Sequence, residues 1–215
     1  MSQFDIKTEG LSEERKAEKF QEHNLQLIRK IFEQIPGTYL FGGYAAEVHL
    51  HEGEVLDDHH DVDVGILRSQ AEAAELGFQR LGFRVKAQHD TRSEEVLKFN
   101  ANRGDLHCDI ALVNWDDSRE QPYFQVTKSG SAVRVYFDKD IFSSTGRTLD
   151  GVPVRVVSPL CLIQCFRFYT DMGWGDQREK DRIREKALKA KFFPDKDPDD
   201  PMFDVEIIPV TKNQV

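Results

Sequence analysis

Asp61 and Asp63 lie in the run Asp57-Asp58-His59-His60-Asp61-Val62-Asp63-Val64-Gly65-Ile66-Leu67 and are the natural starting point for chemistry in this chain. Strand side chains alternate with a period of two, so two carboxylates one residue apart, leading into an apolar run, share one face. Oxygen ligands paired in this way suit a hard divalent cation. Upstream, Phe41-Gly42-Gly43-Tyr44-Ala45 offers a turn whose glycines let phosphates approach the backbone closely. The N–H groups at the start of the helix that follows would meet those phosphates. Downstream, Asp109 in His107-Cys108-Asp109-Ile110-Ala111 interrupts an otherwise apolar strand and needs a reason to be there. A glycine turn followed by a strand with paired carboxylates is what a magnesium-nucleotide site requires.

Each element has a structural alternative. An isolated Asp-x-Asp is more often a solvated strand face, and the glycine turn upstream with the Asp109 strand downstream is what favours a metal site. His49, His51, His59, His60, His107 and Cys108 lack the regular Cys-x-x-Cys or His-x-x-x-His spacing of a dedicated zinc site. His59 reads instead as a residue that fixes the metal loop by hydrogen bonding. Cys161 and Cys165, one helical turn apart, read as core residues.

The elements that must hold these groups can be traced along the chain. Phe20, Leu27, Ile28, Ile31 and Ile35 recur at helical spacing and predict an amphipathic helix over 12–35, stopped by Pro36-Gly37. A short strand over 38–41, the glycine turn, a short helix over 45–50 and an acidic loop over 52–58 lead to the metal strand. Ser69 is expected to cap a helix that buries Ala74, Phe78 and Leu81 and ends at Gly82. Strands are expected over 83–87, 95–100, 106–113, around 124–126, 132–137 and 152–156. Ser158-Pro159 opens a helix with Leu162, Cys165, Phe166 and Tyr169 on its apolar stripe. A charged helix over 177–191 is expected to bury Ile183, Ala187 and Leu188. The Pro- and Asp-rich tail reads as an extended surface arm in which 205–210 could pair with a strand.

The ordered set Gly42-Gly43-Tyr44-Ala45, Gly53 and His59-His60-Asp61-Val62-Asp63 resembles the nucleotidyltransferase superfamily, whose fold is that of the DNA polymerase beta catalytic core. Gly151-Val152-Pro153-Val154, Ser158-Pro159-Leu160 and Arg178-Glu179-Lys180-Asp181 extend the resemblance over about 31–188, toward the aminoglycoside and lincosamide branch. The resemblance implies an α+β fold: a mixed β-sheet flanked by helices with a small C-terminal helical segment. The corresponding divisions are a catalytic domain over 1–156, a helical annex over 157–192 and the arm over 193–215. It further implies two magnesium ions held by Asp61, Asp63 and Asp109, with ATP or another nucleoside triphosphate as donor. Gly42, Gly43, Tyr44, His59 and Lys180 are the implied nucleotide-binding residues. Asp109 would hold the catalytic ion and could take the proton of the acceptor hydroxyl. Two departures stand out: many relatives carry arginines where this chain has Glu54 and Asp57. Loss of those charges would weaken triphosphate binding, or the acidic loop of Glu52, Glu54, Asp57 and Asp58 would serve a polycationic acceptor.

Composition narrows the partners. The chain has 215 residues, 39% hydrophobic and 10% aromatic, enough for a core in one domain with an annex. With 29 Lys and Arg against 38 Asp and Glu the net charge is -9, which argues against a duplex nucleic-acid partner. No apolar run approaches the ~18 residues of a membrane span, no signal peptide is recognisable, and three cysteines make an odd count, so a reduced, cytoplasmic protein is expected. The leading functional expectation is transfer of a nucleoside monophosphate to a hydroxyl of a small molecule, a cationic one included. The alternatives are a nucleotidyltransferase of the toxin-antitoxin type acting on protein or RNA, and a non-catalytic nucleotide-binding homologue. The acceptor, the base preference and the oligomeric state are not specified by the sequence.

Overall fold

The structure is a computed structural model that describes residues 12–89, 96–128, 131–142, 144–173, 175–197, 200 and 205–210. In chain order the elements are α1 (Glu13–Gln34), β1 (Tyr39–Leu40), α2 (Gly42–Leu50), β2 (Val62–Leu67), α3 (Ala71–Arg80), β3 (Arg84–His89), β4 (Val96–Arg103) and β5 (Leu106–Asp116). They continue with β6 (Gln121–Lys128), β7 (Ser131–Tyr136), β8 (Ser144–Leu149), β9 (Val152–Val156), α4 (Pro159–Asp171), α5 (Glu179–Phe192) and β10 (Glu206–Pro209). This is the expected α+β architecture, a mixed sheet flanked by helices.

The sheet runs β10-β7-β6-β5-β2-β1-β9-β8, with β4 also paired to β5 and β3 to β4. At its centre β2 lies parallel to β5, while β4 is antiparallel to β5. On β2, Val62, Val64 and Ile66 point into the core and are almost wholly inaccessible, while Asp63 between them is half-buried on the opposite face. Gly65 has no side chain because the Phe41 ring lies there; a Cβ would stand 2.1 Å from Phe41 Cε2. From α1, Leu27, Ile28, Ile31 and Ile35 join the core, each fully buried aliphatic contributing about 1.5–3 kcal/mol.

Several local details differ from expectation. Ser69 lies in a 3-10 turn over Arg68–Gln70, and α3 starts at Ala71 without a side-chain cap. Gly42 and Gly43 form the first turn of α2 rather than preceding it. The β8 strand, absent from the sequence reading, forms a hairpin with β9. The buried face of α5 carries Asp181, Arg184, Glu185 and Leu188, whereas Ile183 is 58% exposed. The helix is turned so that Glu185 meets Arg167 of α4 and Arg184 meets Asp57 of the loop that follows α2.

The start of α4 follows the sequence: Ser158 Oγ accepts the Cys161 N–H at 3.2 Å and Pro159 sits in the first turn. Leu162 and Phe166 on its stripe are buried, Cys161 is buried and Cys165 half-buried, while the Tyr169 side chain lies outside the described residues. The tail returns as β10, antiparallel to β7, with Arg119 donating to both carboxylate oxygens of Glu206. Among the described residues no helix is long and apolar enough to cross a membrane.

Candidate active site

The parallel register of β2 and β5 sets Asp63 directly beside Asp109, and the antiparallel register of β4 sets Asn100 beside Asp109. Residues opposite one another across a sheet share a face, so Asn100, Asp109 and Asp63 form one polar rung through the centre of the sheet. Residues two positions away along each strand extend the same face: Lys98 on β4, His107 on β5 and, at the entrance to β2, the exposed Asp61.

Asp63 bears the electrostatic load. Burial first, then the charges of Asp61 and Asp109, push its carboxyl from the ordinary 3.8 up to about 7, against weaker opposition from Arg178 and Lys98. Beneath the pair, the buried Cys108 thiol is pushed well above its usual range, by burial first and then by Asp63. Asp109 is held by protein partners: Lys98 Nζ lies 3.2 Å from its Oδ2, His107 Nε2 lies 3.2 Å from its Oδ1, and Asn100 Nδ2 also donates to Oδ1. The three carboxylates do not close into a preassembled three-ligand cluster; among the described residues no group of three or more His, Cys, Asp or Glu side chains stands at metal-binding spacing. What fits a divalent cation is the donor chemistry: oxygen ligands, like charges crowded onto one face, and a central carboxylate raised by burial and by its acidic neighbours.

The first turn of α2 sits against this face. Gly42 has φ +60, and a Cβ there would stand 2.0 Å from Asp63 Oδ2. Only glycine allows both the left-handed backbone and this approach. Phe41, the N-cap, offers no side-chain acceptor, and no acidic residue lies in the first turn. The helix therefore begins with N–H groups that no capping side chain satisfies. At Gly43 a Cβ would stand 2.4 Å from His59 Nδ1 and 3.2 Å from Arg184 Nη1.

The loop between α2 and β2 is held from inside the helix. Glu47 is almost wholly buried; its Oε1 accepts from His59 Nε2 at 2.9 Å and from the Asp57 N–H at 3.2 Å. Asn24 on α1 donates to the His59 carbonyl at 3.0 Å, and the His59 ring packs on Tyr44 with centroids 4.1 Å apart. Tyr44 is itself buried, so its side chain supports His59 and presents no open surface to a ligand. Gly53, at φ +92, lets the loop cross the β8–β9 hairpin, where its carbonyl accepts the Asp150 N–H at 2.7 Å. Lys180 is exposed in the first turn of α5, near the end from which Arg178 acts on Asp63.

Glu47, Arg184, Lys98, Asn100 and His107 were not among the expected site residues. Glu47 had a readable signal, the lone carboxylate in the mostly apolar helix Gly42–Leu50. Arg184 had none, because its partner Asp57 is distant in sequence.

A family profile of aminoglycoside-2''-adenylyltransferases matches residues 25–188. No curated protein sequence matches the chain. Solved structures share its fold. The solution structure of the antibiotic-resistance factor ANT(2'')-Ia matches with TM-score 0.61 at 20% identity, covering 80% of this chain and 86% of that one. A crystal structure of ANT(2'')-Ia with adenylyl-2''-tobramycin gives 0.52 at 19%, covering 79% and 98%. The lincosamide adenylyltransferase LnuA, bound to lincomycin, gives 0.54 at 19%, covering 79% and 96%. Since the profile spans the glycine turn, the Asp61–Asp63 strand, Asp109 and most of α5, the chain belongs to the aminoglycoside-2''-adenylyltransferase family of nucleotidyltransferases.

Proposed function

We propose that this protein transfers a nucleoside monophosphate, AMP from ATP foremost, to a hydroxyl of a small antibiotic of the aminoglycoside or lincosamide kind. The observation that carries this reading is the rung Asn100–Asp109–Asp63 set against the open first turn of α2. Magnesium held by Asp61, Asp63 and Asp109, two ions for three carboxylates, would supply charge neutralisation at the triphosphate and acidify the acceptor hydroxyl. The chain's own groups do the rest. Gly42 and Gly43 N–H groups bind the β and γ phosphates, and the exposed Lys180 adds positive charge at the same mouth. The acceptor oxygen attacks the α phosphorus, the bond to the bridging oxygen of the β phosphate breaks, and pyrophosphate leaves. Asp109 takes the hydroxyl proton, oriented by Asn100, His107 and Lys98.

The acceptor class draws support from neighbours solved with adenylyl-2''-tobramycin and with lincomycin. Exposed carboxylates Glu52, Glu54 and Asp58 on the loop suit ammonium groups of a cationic acceptor. Incubation with each α-phosphate-labelled nucleoside triphosphate, magnesium and a panel of aminoglycosides and lincosamides tests the proposal. Pyrophosphate release with label on the acceptor, lost in Asp63→Asn, is the expected result. Nucleotide binding without transfer to any antibiotic would remove this acceptor class.

A further inference from the structure

Arg184 is a residue of α5 that is 7% exposed, yet its one hydrogen bond among the described residues runs from Nη2 to Asp57 Oδ2 at 2.8 Å, and Asp57 is 58% exposed. A buried guanidinium requires more compensation than one solvated carboxylate gives. Its Nη1 makes no hydrogen bond with a described residue, is not sealed from solvent, and lies 3.2 Å from where a Gly43 Cβ would stand. A pre-aimed, planar donor set therefore stands beside the uncapped N–H groups of the first turn of α2. Asp63 lies against the same turn at Gly42, so a phosphate chain seated on the turn has the acidic face on one flank and the guanidinium on the other.

We infer that Arg184 binds the β or γ phosphate of the donor nucleotide, with Asp57 holding the guanidinium in place until the triphosphate arrives. The inference rests on the nucleotidyl-transfer reading and deepens it. The ion pair has two roles to separate. If it were only a strut between α5 and the loop, removing either partner would have the same effect. If Arg184 is a phosphate ligand, the two removals act in opposite directions, because Asp57 carries the charge that phosphate must tolerate.

The test uses the full chain, with magnesium, and measures affinity for ATP, for AMP and for inorganic tripolyphosphate, which probes the phosphate site whatever the base preference. Arg184→Gln is expected to weaken ATP and tripolyphosphate about ten- to a hundredfold, the scale of one charge-assisted hydrogen bond, and to leave AMP within about twofold. Asp57→Asn, which keeps the shape of an exposed side chain and removes its charge, is expected to hold or raise both affinities. Losses of the same sign in the two variants, or unchanged tripolyphosphate binding in Arg184→Gln, overturn the inference while nucleotidyl transfer stands. Should Arg184→Gln fail to fold, a loss of affinity in Asp57→Asn overturns it alone. A wild-type chain that binds neither ATP nor tripolyphosphate overturns both readings.

Discussion

Replacing Asp63 by Asn should make the metal-free protein more stable while abolishing transfer. In the folded state the Asp63 carboxyl is raised from 3.8 to about 7, by burial first and then by Asp61 and Asp109. The folded protein thus keeps this proton to higher pH than the unfolded chain. Below pH about 4 both states hold it and it contributes no difference; between about 4 and 7 wild-type stability falls as pH rises; above 7 the penalty is complete. A shift of this size corresponds to at most about 4 kcal/mol, and relaxation of neighbouring groups brings the expected gain to roughly 2–4 kcal/mol. Asn retains the shape, so neither the Gly42 contact nor the core should change. Urea unfolding of both proteins with a chelator, at pH 8 and at pH 4, measures the difference directly. A variant no more stable at pH 8, or one whose advantage survives unchanged at pH 4, would refute the account of the acidic rung. Adding magnesium at pH 8 should stabilise the wild type and leave the variant nearly unmoved.

Further predictions follow from the same geometry. Magnesium-dependent stabilisation of the wild type, followed by thermal shift, should grow from pH 6 to pH 8, since the cation must displace the Asp63 proton. Gly42→Ala should cost about 2 kcal/mol or more and remove activity, because a left-handed backbone and a Cβ 2.0 Å from Asp63 Oδ2 are imposed together; calorimetric stability unchanged from wild type would contradict this. Gly43→Ala should be costly alone and partly rescued by His59→Ala, whose ring atom lies 2.4 Å from the new Cβ; additive losses in the double-variant cycle would deny the contact. Glu47→Ala should destabilise by about 2–3 kcal/mol and raise hydrogen exchange at Asp57, because the buried His59 and the loop N–H lose their acceptor; unchanged exchange would assign the loop's order elsewhere.

The helix α1, the Ser158-capped α4 and the strands β5 and β9 were legible because periodicity, capping and Gly or Pro punctuation act locally. The misplacement of Ile183 has a different origin. The spacing in α5 favours an apolar face, but the surface it packs against offers Asp57, Arg167 and Gln177, and polar contacts at Arg184 and Glu185 decide the helix rotation. β8 has no sequence signature because a short, largely polar edge strand, Ser144–Leu149, takes its order from pairing with β9 rather than from its own side chains.

By itself the sequence determined which groups could do chemistry: the alternation that puts Asp61 and Asp63 on one face, the glycines that open a helix start, and Asp109 in an apolar strand. Those are consequences of covalent spacing. Only the tertiary structure decided that β2 and β5 align so that Asp63 faces Asp109, that Glu47 is the partner through which His59 holds the loop, and that a cation from α5 reaches the turn of α2. Strand register is set by the fit of side chains on both faces of the sheet, and a buried charge goes where a partner compensates it. Neither partner can be read from residues so far apart along the chain.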